Sequence, residues 1–113
     1  MAFKKYLLIA VTLVGLNGKI LWIAPTTNMD GSPLTDLAGY QIQVGTAAGV
    51  YNKTVPLPIE TSCKVSALGL ADGTYFCVVE AIDAAGNVST PSNEITFTLD
   101  SSAPAAPTGF TIS

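Results

Sequence analysis

Residues 68–94, LGLADGTYFCVVEAIDAAGNVSTPSNE, decide the fold that this sequence predicts. Within them, residues 75–81 alternate with a period of two, which puts Tyr75, Cys77 and Val79 on one face of a strand. An Asp-Gly pair precedes this strand and a Gly-Asn pair follows it, and both pairs are turn-forming. A strand bounded in this way is typical of the middle of an antiparallel sandwich.

Six further short segments have the composition of strands and are separated by turn residues. Tyr40, Ile42 and Val44 alternate with two glutamines, for example, which predicts a half-buried strand. Pro56 and Pro58 are expected to end the strand before them, because proline cannot donate to a sheet. Seven short strands at regular spacing, with no sustained helical period, predict an all-β fold, an immunoglobulin-like sandwich of two sheets. The predicted strands are residues 5–13, 19–23, 40–44, 51–55, 61–67, 75–81 and 94–99.

Composition excludes several classes of function. The chain has 113 residues, enough for one domain, with 12% charged residues and a net charge of −3. Because it has no basic cluster, the sequence does not predict nucleic-acid binding. Histidine is absent, so the many serines and threonines have no imidazole to activate them. We therefore predict no enzymatic activity and no catalytic, cofactor or metal site.

The N-terminal residues allow two interpretations. A basic start and a short apolar run in residues 1–15 are typical of a secretory signal, although the small residues of a cleavage site are missing. Alternatively, residues 5–13 are the first strand and residues 14–18 a hairpin loop with a turn-forming Asn-Gly pair. We favour the strand, which assigns residues 1–100 to the sandwich. The apolar run is shorter than the ~20 residues that cross a bilayer, so we predict no membrane span.

The C-terminal residues 101–113 are punctuated by prolines and are expected to form a stiff, extended tail. The last five residues, GFTIS, have the pattern of a short strand without a partner in the chain. We expect Phe110 and Ile112 to be ordered only by contact with another chain, to which this segment would add a strand.

The two cysteines, Cys63 and Cys77, are too far apart in sequence for a CxxC redox or zinc motif. An even number permits one disulfide, which would imply an oxidising compartment. Two buried free thiols are the alternative, and the spacing of the residues does not decide between them.

A set of motifs runs from about residue 20 to residue 99. The motifs are Leu21-Trp22 with Pro25, Asp30-Gly31-Ser32-Pro33-Leu34, Gly39-Tyr40, Gly45-Thr46, Leu70 with Asp72-Gly73-Thr74-Tyr75, Val79, Ala81, Asp83, Ala85-Gly86-Asn87, Ser89, and Pro91-Ser92-Asn93-Glu94. Together they resemble the fibronectin type III domain of bacterial and phage proteins. The resemblance implies that Trp22 is the core tryptophan of the second strand. It also implies that Tyr75 pins the loop before its strand, with Leu70 packed beneath it. Cys63 and Cys77 replace bulky core residues of the family, which adds modestly to the case for a bridge between them.

The most informative feature for function is a set of apolar side chains that the alternation along the predicted strands directs outward. Leu21 and Ile23 point away from the face that carries Trp22, and Phe76 and Val78 lie opposite Tyr75 and Cys77. A sheet face built from several such residues predicts a partner surface. The alternative is that a loop or the tail folds back over it. The candidate partner surface is Leu21, Ile23, Phe76, Val78, Phe110 and Ile112.

These features, with the family resemblance, favour a non-enzymatic structural or accessory subunit of an extracellular assembly. Because such domains recur on phage virions, we expect a virion protein, a capsid decoration or tail accessory protein that contacts other protein subunits. The alternative is a secreted bacterial adhesion or carbohydrate-binding module at the cell surface, from which residues 1–18 are removed as a signal.

Overall fold

Seven β-strands run through the part of the chain that the computed structural model describes, which is residues 8–9, 18–100 and 102–113. All the strand pairs are antiparallel, so the prediction of an all-β fold with two antiparallel sheets is confirmed. A single 3-10 turn, Val65–Leu68, interrupts the described strands. The strands are β1 (Leu8–Ile9), β2 (Lys19–Ile23), β3 (Leu37–Gly45), β4 (Lys53–Leu57), β5 (Ser62–Lys64), β6 (Gly73–Asp83) and β7 (Ile95–Leu99).

The strands divide into a small sheet, in the order β1-β2-β5, and a large sheet, in the order β4-β3-β6-β7. In the large sheet, β3 and β6 form the centre, and their register places Ile42 opposite Val79. In the small sheet, β2 is central and Ile20 lies opposite Cys63. Strands β4, β5 and β7 therefore each have one neighbour among the described strands.

One hydrophobic core joins the inward faces of the two sheets. The period-two alternation puts every second side chain of β2, β3 and β6 into this core, as the burial pattern of β2 illustrates. Trp22 of the small sheet meets Tyr40 of the large sheet edge to face, with ring centroids 5.3 Å apart at an interplanar angle of 67°. The buried core residues are Ile20, Trp22, Tyr40, Ile42, Val44, Cys63, Val65, Leu68, Cys77, Val79, Ala81, Phe97 and Leu99.

The segment at residues 61–67 differs from the predicted strand. Strand β5 ends at Lys64, and the 3-10 turn follows at once. The reason is that Val65 and Leu68 are both buried, and a spacing of three residues suits one face of a 3-10 turn. Gly69, with φ 66° and ψ 36°, then ends the turn in the left-handed region that glycine adopts most readily.

Strand β4 also differs from its prediction, because it runs through Pro56 instead of ending there. Pro56 lies opposite Gln41 of β3, and β4 has no neighbour on its other side among the described strands. An edge strand can accept a proline, since one row of its backbone groups faces away from the sheet.

The segment between β6 and β7 continues beside β6 through two buried serines. The backbone N–H of Ala81 donates to the Oγ of Ser89 at 2.8 Å, and that of Val79 donates to the Oγ of Ser92 at 2.9 Å. The same two serines donate from their own N–H groups to the carbonyls of Ala81 and Val79. Serine hydroxyls thus supply the acceptors that strand carbonyls would otherwise provide.

The loop before β6 is held by Tyr75. Its hydroxyl donates a hydrogen bond of 2.7 Å to the carbonyl of Ala71, and its ring lies 5.8 Å from that of Phe97. Leu70, in the same loop, is half-buried and packs against the core cluster. Among the residues expected to be structural, Trp22, Tyr40 and Val79 are buried, whereas Tyr75 is half-buried at the edge of the core.

Two predictions concern residues that lie largely outside the described part of the chain. The predicted first strand, residues 5–13, is described only at Leu8–Ile9, which pair with Ile23 and Trp22 of β2. The predicted loop at residues 14–18 is described only at Gly18, and the choice between a strand and a signal depends mainly on residues 1–7 and 10–17, which are not described.

Candidate interaction surfaces

The outer face of β2 carries exposed apolar side chains. Leu21 is 48% exposed and Ile23 is 65% exposed, whereas Ile20 and Trp22 between them are buried. The alternation therefore directs Leu21 and Ile23 away from the core, as the sequence predicts. Lys19 lies on the same face, in register with Lys64 of β5. The outer face of the small sheet thus combines two aliphatic side chains with two lysines.

A cleft of about 350 Å³ lies beside β5, where the edge strands of the two sheets approach each other. Its apolar part comes from Leu57 and Pro58 at the end of β4 and from Ala67 in the 3-10 turn. Charged residues border it: Lys19, Lys64 and Glu60. The lining therefore combines apolar and charged side chains, as protein contact sites do.

The outer face of β6 is not an accessible surface at Val78, which corrects one of the predicted partner residues. Val78 is 4% exposed although it does not belong to the core cluster between the sheets, and Phe76 is half-buried. The reason is that the connection between β3 and β4 folds across this face. A Cβ added to Gly45, which lies opposite Phe76, would come within 1.8 Å of the carbonyl oxygen of Val50. Only a glycine at this position lets the loop approach so closely.

Tyr51 and Glu94 fasten this loop over β6. The hydroxyl of Tyr51 donates to the carboxylate of Glu94, which also accepts the N–H of Gly49 at 2.8 Å. Glu94 comes just before β7, and β6 separates β7 from β3 in the sheet order, so the contact passes over β6. Burial and the hydrogen bond to Glu94 raise the pKa of Tyr51 to about 12. The same hydrogen bond from Tyr51, followed by that from Gly49, lowers the pKa of Glu94.

Beyond this loop, the outer face of the large sheet is polar. Glu80 accepts hydrogen bonds from the amide groups of Gln41 at 2.8 Å and Gln43 at 3.1 Å. Gln43 in turn accepts the hydroxyl of Thr54 at 3.0 Å. These side chains satisfy one another across three strands, so this face is a solvated surface and not an apolar contact area.

The tail is exposed along its whole described length, residues 102–113, and contains no strand or helix there. Phe110 and Ile112 are each 98% exposed, the largest exposed fractions of any large hydrophobic side chain in the described residues. Because they are two positions apart, they lie on one face whenever this segment is extended.

Cys63 in β5 and Cys77 in β6 are both buried and are free thiols in the structure. Burial raises the pKa of Cys77 to about 12, with smaller effects from Glu94 and Cys63. Burial and then the charge of Glu60 raise the pKa of Cys63. At neutral pH both groups are therefore protonated and unreactive as nucleophiles.

Within residues 18–100 and 102–113, no group of three or more cysteine, aspartate or glutamate side chains is arranged to hold a metal ion. No helix in the described part of the chain has the length and apolar character needed to cross a membrane.

Sequence reasoning missed the contact of Tyr51 with Glu94, the cleft beside β5 and the acceptor role of Ser89 and Ser92. The sequence does contain one indication of the role of the serines. They are two small hydroxyl residues near Pro91, at positions where a continuing strand would have alternating apolar residues. The other two features join residues that are far apart in sequence, and no local pattern marks them.

Comparisons with known proteins assign no family to this chain. No protein-family model matches the chain, and no characterised protein matches it in sequence. Among solved structures, the spore cortex lytic enzyme SleM of Clostridium perfringens is similar over 88% of this chain, with 21% identity and a TM-score of 0.49. The chain spans 29% of the length of that protein.

Proposed function

We propose that this chain is a fibronectin type III-like domain that serves as a non-enzymatic structural or accessory subunit of an extracellular assembly. The assembly that we propose is a phage virion, in which the chain would contact other protein subunits as a capsid decoration or tail accessory protein.

The strand order supports the fibronectin type III topology. That family packs a three-stranded sheet on a four-stranded sheet, as the orders β1-β2-β5 and β4-β3-β6-β7 do here. The hydrogen bond from Tyr75 to the carbonyl of Ala71 supports the corner role that the resemblance implies for this tyrosine. The burial of Trp22 against Tyr40 supports the role of the core tryptophan.

The observation that carries the function is the exposure of large apolar side chains on two separate surfaces. Leu21 and Ile23 are exposed on β2, and Phe110 and Ile112 are exposed in the tail. Because only 12% of its residues are charged, the chain has few charged side chains that would oppose contact between these surfaces and other proteins. Contact with protein subunits would remove this apolar area from water.

The virion, as the assembly, is supported by the family resemblance, because domains of this kind recur on phage particles. The absence of histidine from the sequence, which leaves its serines and threonines without an imidazole base, supports a non-enzymatic role.

The experiment is to purify particles from cells that express the natural chain and to measure the intact mass of the chain in them. The proposal expects the chain to sediment with particles at a fixed ratio to their main subunit, with residues 1–18 present. A chain that is recovered only from the medium or the cell surface, without those residues, would instead establish the secreted adhesion or carbohydrate-binding module.

A further inference from the structure

The end of the tail has two apolar side chains and no partner. Among the described residues, no hydrogen bond joins residues 103–113 to the sandwich. Phe110 and Ile112 are almost fully exposed and share one face of an extended segment. Such a segment gains stability when it joins a sheet edge, because its backbone groups and its apolar side chains are then both satisfied.

The tail is poorly suited to reach back to its own domain. Pro104 and Pro107 stiffen the segment between β7 and Phe110, and proline-rich segments favour an extended polyproline conformation. Residues 102–113 are all exposed, so none of them is packed into the sandwich. A site on a second copy of the chain is therefore the better match for this segment.

Strand β5 offers a free edge. The carbonyl of Thr61 and the N–H of Val65 both bond to the β2 side, to Trp22 and Gly18. Because backbone groups alternate along an antiparallel strand, those of Ser62 and Lys64 face away from β2. Beyond β5 there is no further described strand. The other edge at this side of the sandwich, β4, contains Pro56, which weakens it as a site for strand addition.

The cleft beside β5 suits the side chains of the tail. Its volume of about 350 Å³ accommodates one aromatic and one aliphatic side chain, and Leu57, Pro58 and Ala67 supply an apolar lining. The cleft and the free edge adjoin each other, since Ser62 and Lys64 belong to both. An extended segment that pairs with β5 would thus bring alternate side chains to the cleft.

We propose that residues 109–113 of one copy add as a strand to the free edge of β5 in a second copy, with Phe110 and Ile112 seated in its cleft. This rests on the proposed function, because it names a second copy as one of the subunits that the chain contacts. The tail and the cleft are different surfaces, so the contact is heterologous and leads to open chains or closed rings of copies.

The test uses a donor and an acceptor variant of the full chain in analytical ultracentrifugation. Phe110→Asp removes the apolar anchor of the tail, and Thr111→Asp is the matched control with the same charge on the opposite face. Ala67→Arg fills the cleft from an exposed position of the 3-10 turn. Neither the tail nor Ala67 belongs to the core cluster, so the variants should keep the circular dichroism spectrum of the natural chain.

The proposal expects the natural chain and Thr111→Asp to associate as concentration rises towards about 1 mM, the weak end of the affinity scale. Phe110→Asp and Ala67→Arg should each associate at least roughly tenfold more weakly. Mixed together, they should form a one-to-one dimer, because Phe110→Asp retains the cleft and Ala67→Arg retains the tail.

A natural chain that is monomeric throughout this range, or a mixture that does not dimerise, would overturn the proposal. Concentration-independent protection of residues 109–113 from hydrogen exchange would also overturn it, since it would show that the tail docks on its own domain. None of these results bears on whether the chain is present in purified particles. The proposed function is therefore tested separately.

Discussion

The hydroxyl group of Tyr51 donates a hydrogen bond to the carboxylate of Glu94, which lies 43 positions further along the chain. This contact holds the connection between β3 and β4 over β6, the strand whose outer face contains the buried Val78. It reduces the apolar surface on the large sheet, while Leu21 and Ile23 on β2 and Phe110 and Ile112 in the tail stay exposed.

The first prediction concerns the pH dependence of this contact. The pKa of Glu94 is lowered from 4.5, so its ionised form stabilises the folded chain. This contribution is fully present above pH 4.5 and is lost as the pH falls through the lower pKa of the folded state. Glu94→Gln should therefore lower Tm at pH 7 and flatten the fall of Tm in acid.

Thermal unfolding of the variant and the natural chain at several pH values measures this effect. Glu60→Gln serves as the control, because the Glu60 side chain is exposed and forms no hydrogen bond among the described residues. The same dependence of Tm on pH in Glu94→Gln and in the natural chain would show that the contact does not contribute.

The second prediction compares two adjacent positions of β2. Trp22→Ala removes a core aromatic side chain that packs on Tyr40 and should cost roughly 3–5 kcal/mol of unfolding free energy. Leu21→Ala, on the exposed face, should change it by no more than about 0.5 kcal/mol. Urea unfolding measures both values. Equal losses at the two positions would contradict the assignment of the faces of β2.

The third prediction contrasts two tyrosine hydroxyls. The hydroxyl of Tyr40 is buried and makes no hydrogen bond of ordinary geometry among the described residues, although the side chain of Trp22 acts on it as a weak partner, whereas that of Tyr75 bonds to Ala71. Tyr40→Phe should leave the unfolding free energy unchanged or raise it, because it removes an unsatisfied buried group. Tyr75→Phe should lower it by about 1 kcal/mol. The reverse order in urea unfolding would be incompatible with these contacts.

The fourth prediction concerns the serine acceptors beside β6. Ser92→Ala would leave the buried N–H of Val79 without its side-chain acceptor, which should cost about 1–3 kcal/mol. Amide hydrogen exchange should accelerate most at Val79. Ser66→Ala, at an exposed position of the 3-10 turn, is the control and should leave this amide protected. Unchanged exchange in Ser92→Ala would mean that the serine is not the acceptor.

Much of the fold follows from local patterns in the sequence. Alternation at Ile42, Val44, Cys77 and Val79 predicts inward positions, and all four are buried. The structure around Val65 is harder to predict from the sequence. Val65 lies two positions after Cys63, the spacing of a strand, and three positions before Leu68, the spacing of a 3-10 turn. The side chains alone do not decide between a strand and a 3-10 turn there.

The candidate surfaces could be predicted only in part. Leu21 and Ile23 follow from alternation on a single strand, and their exposure agrees with it. Val78 is instead buried on the face that the loop between β3 and β4 crosses, and the Tyr51–Glu94 contact that holds this loop spans 43 positions and leaves no periodic signal in the sequence. The cleft beside β5 likewise needs β4 and the 3-10 turn in their three-dimensional positions.

The central claim is that exposed apolar side chains join this chain to other subunits of a particle. The most direct measurement is the amount of the Ile23→Asp variant in purified particles, with Thr96→Asp, exposed on the large sheet, as the matched control. The account predicts that both variants fold and that Ile23→Asp is lost from particles while Thr96→Asp remains. Equal incorporation of the two variants, or the absence of the natural chain from particles, would contradict it.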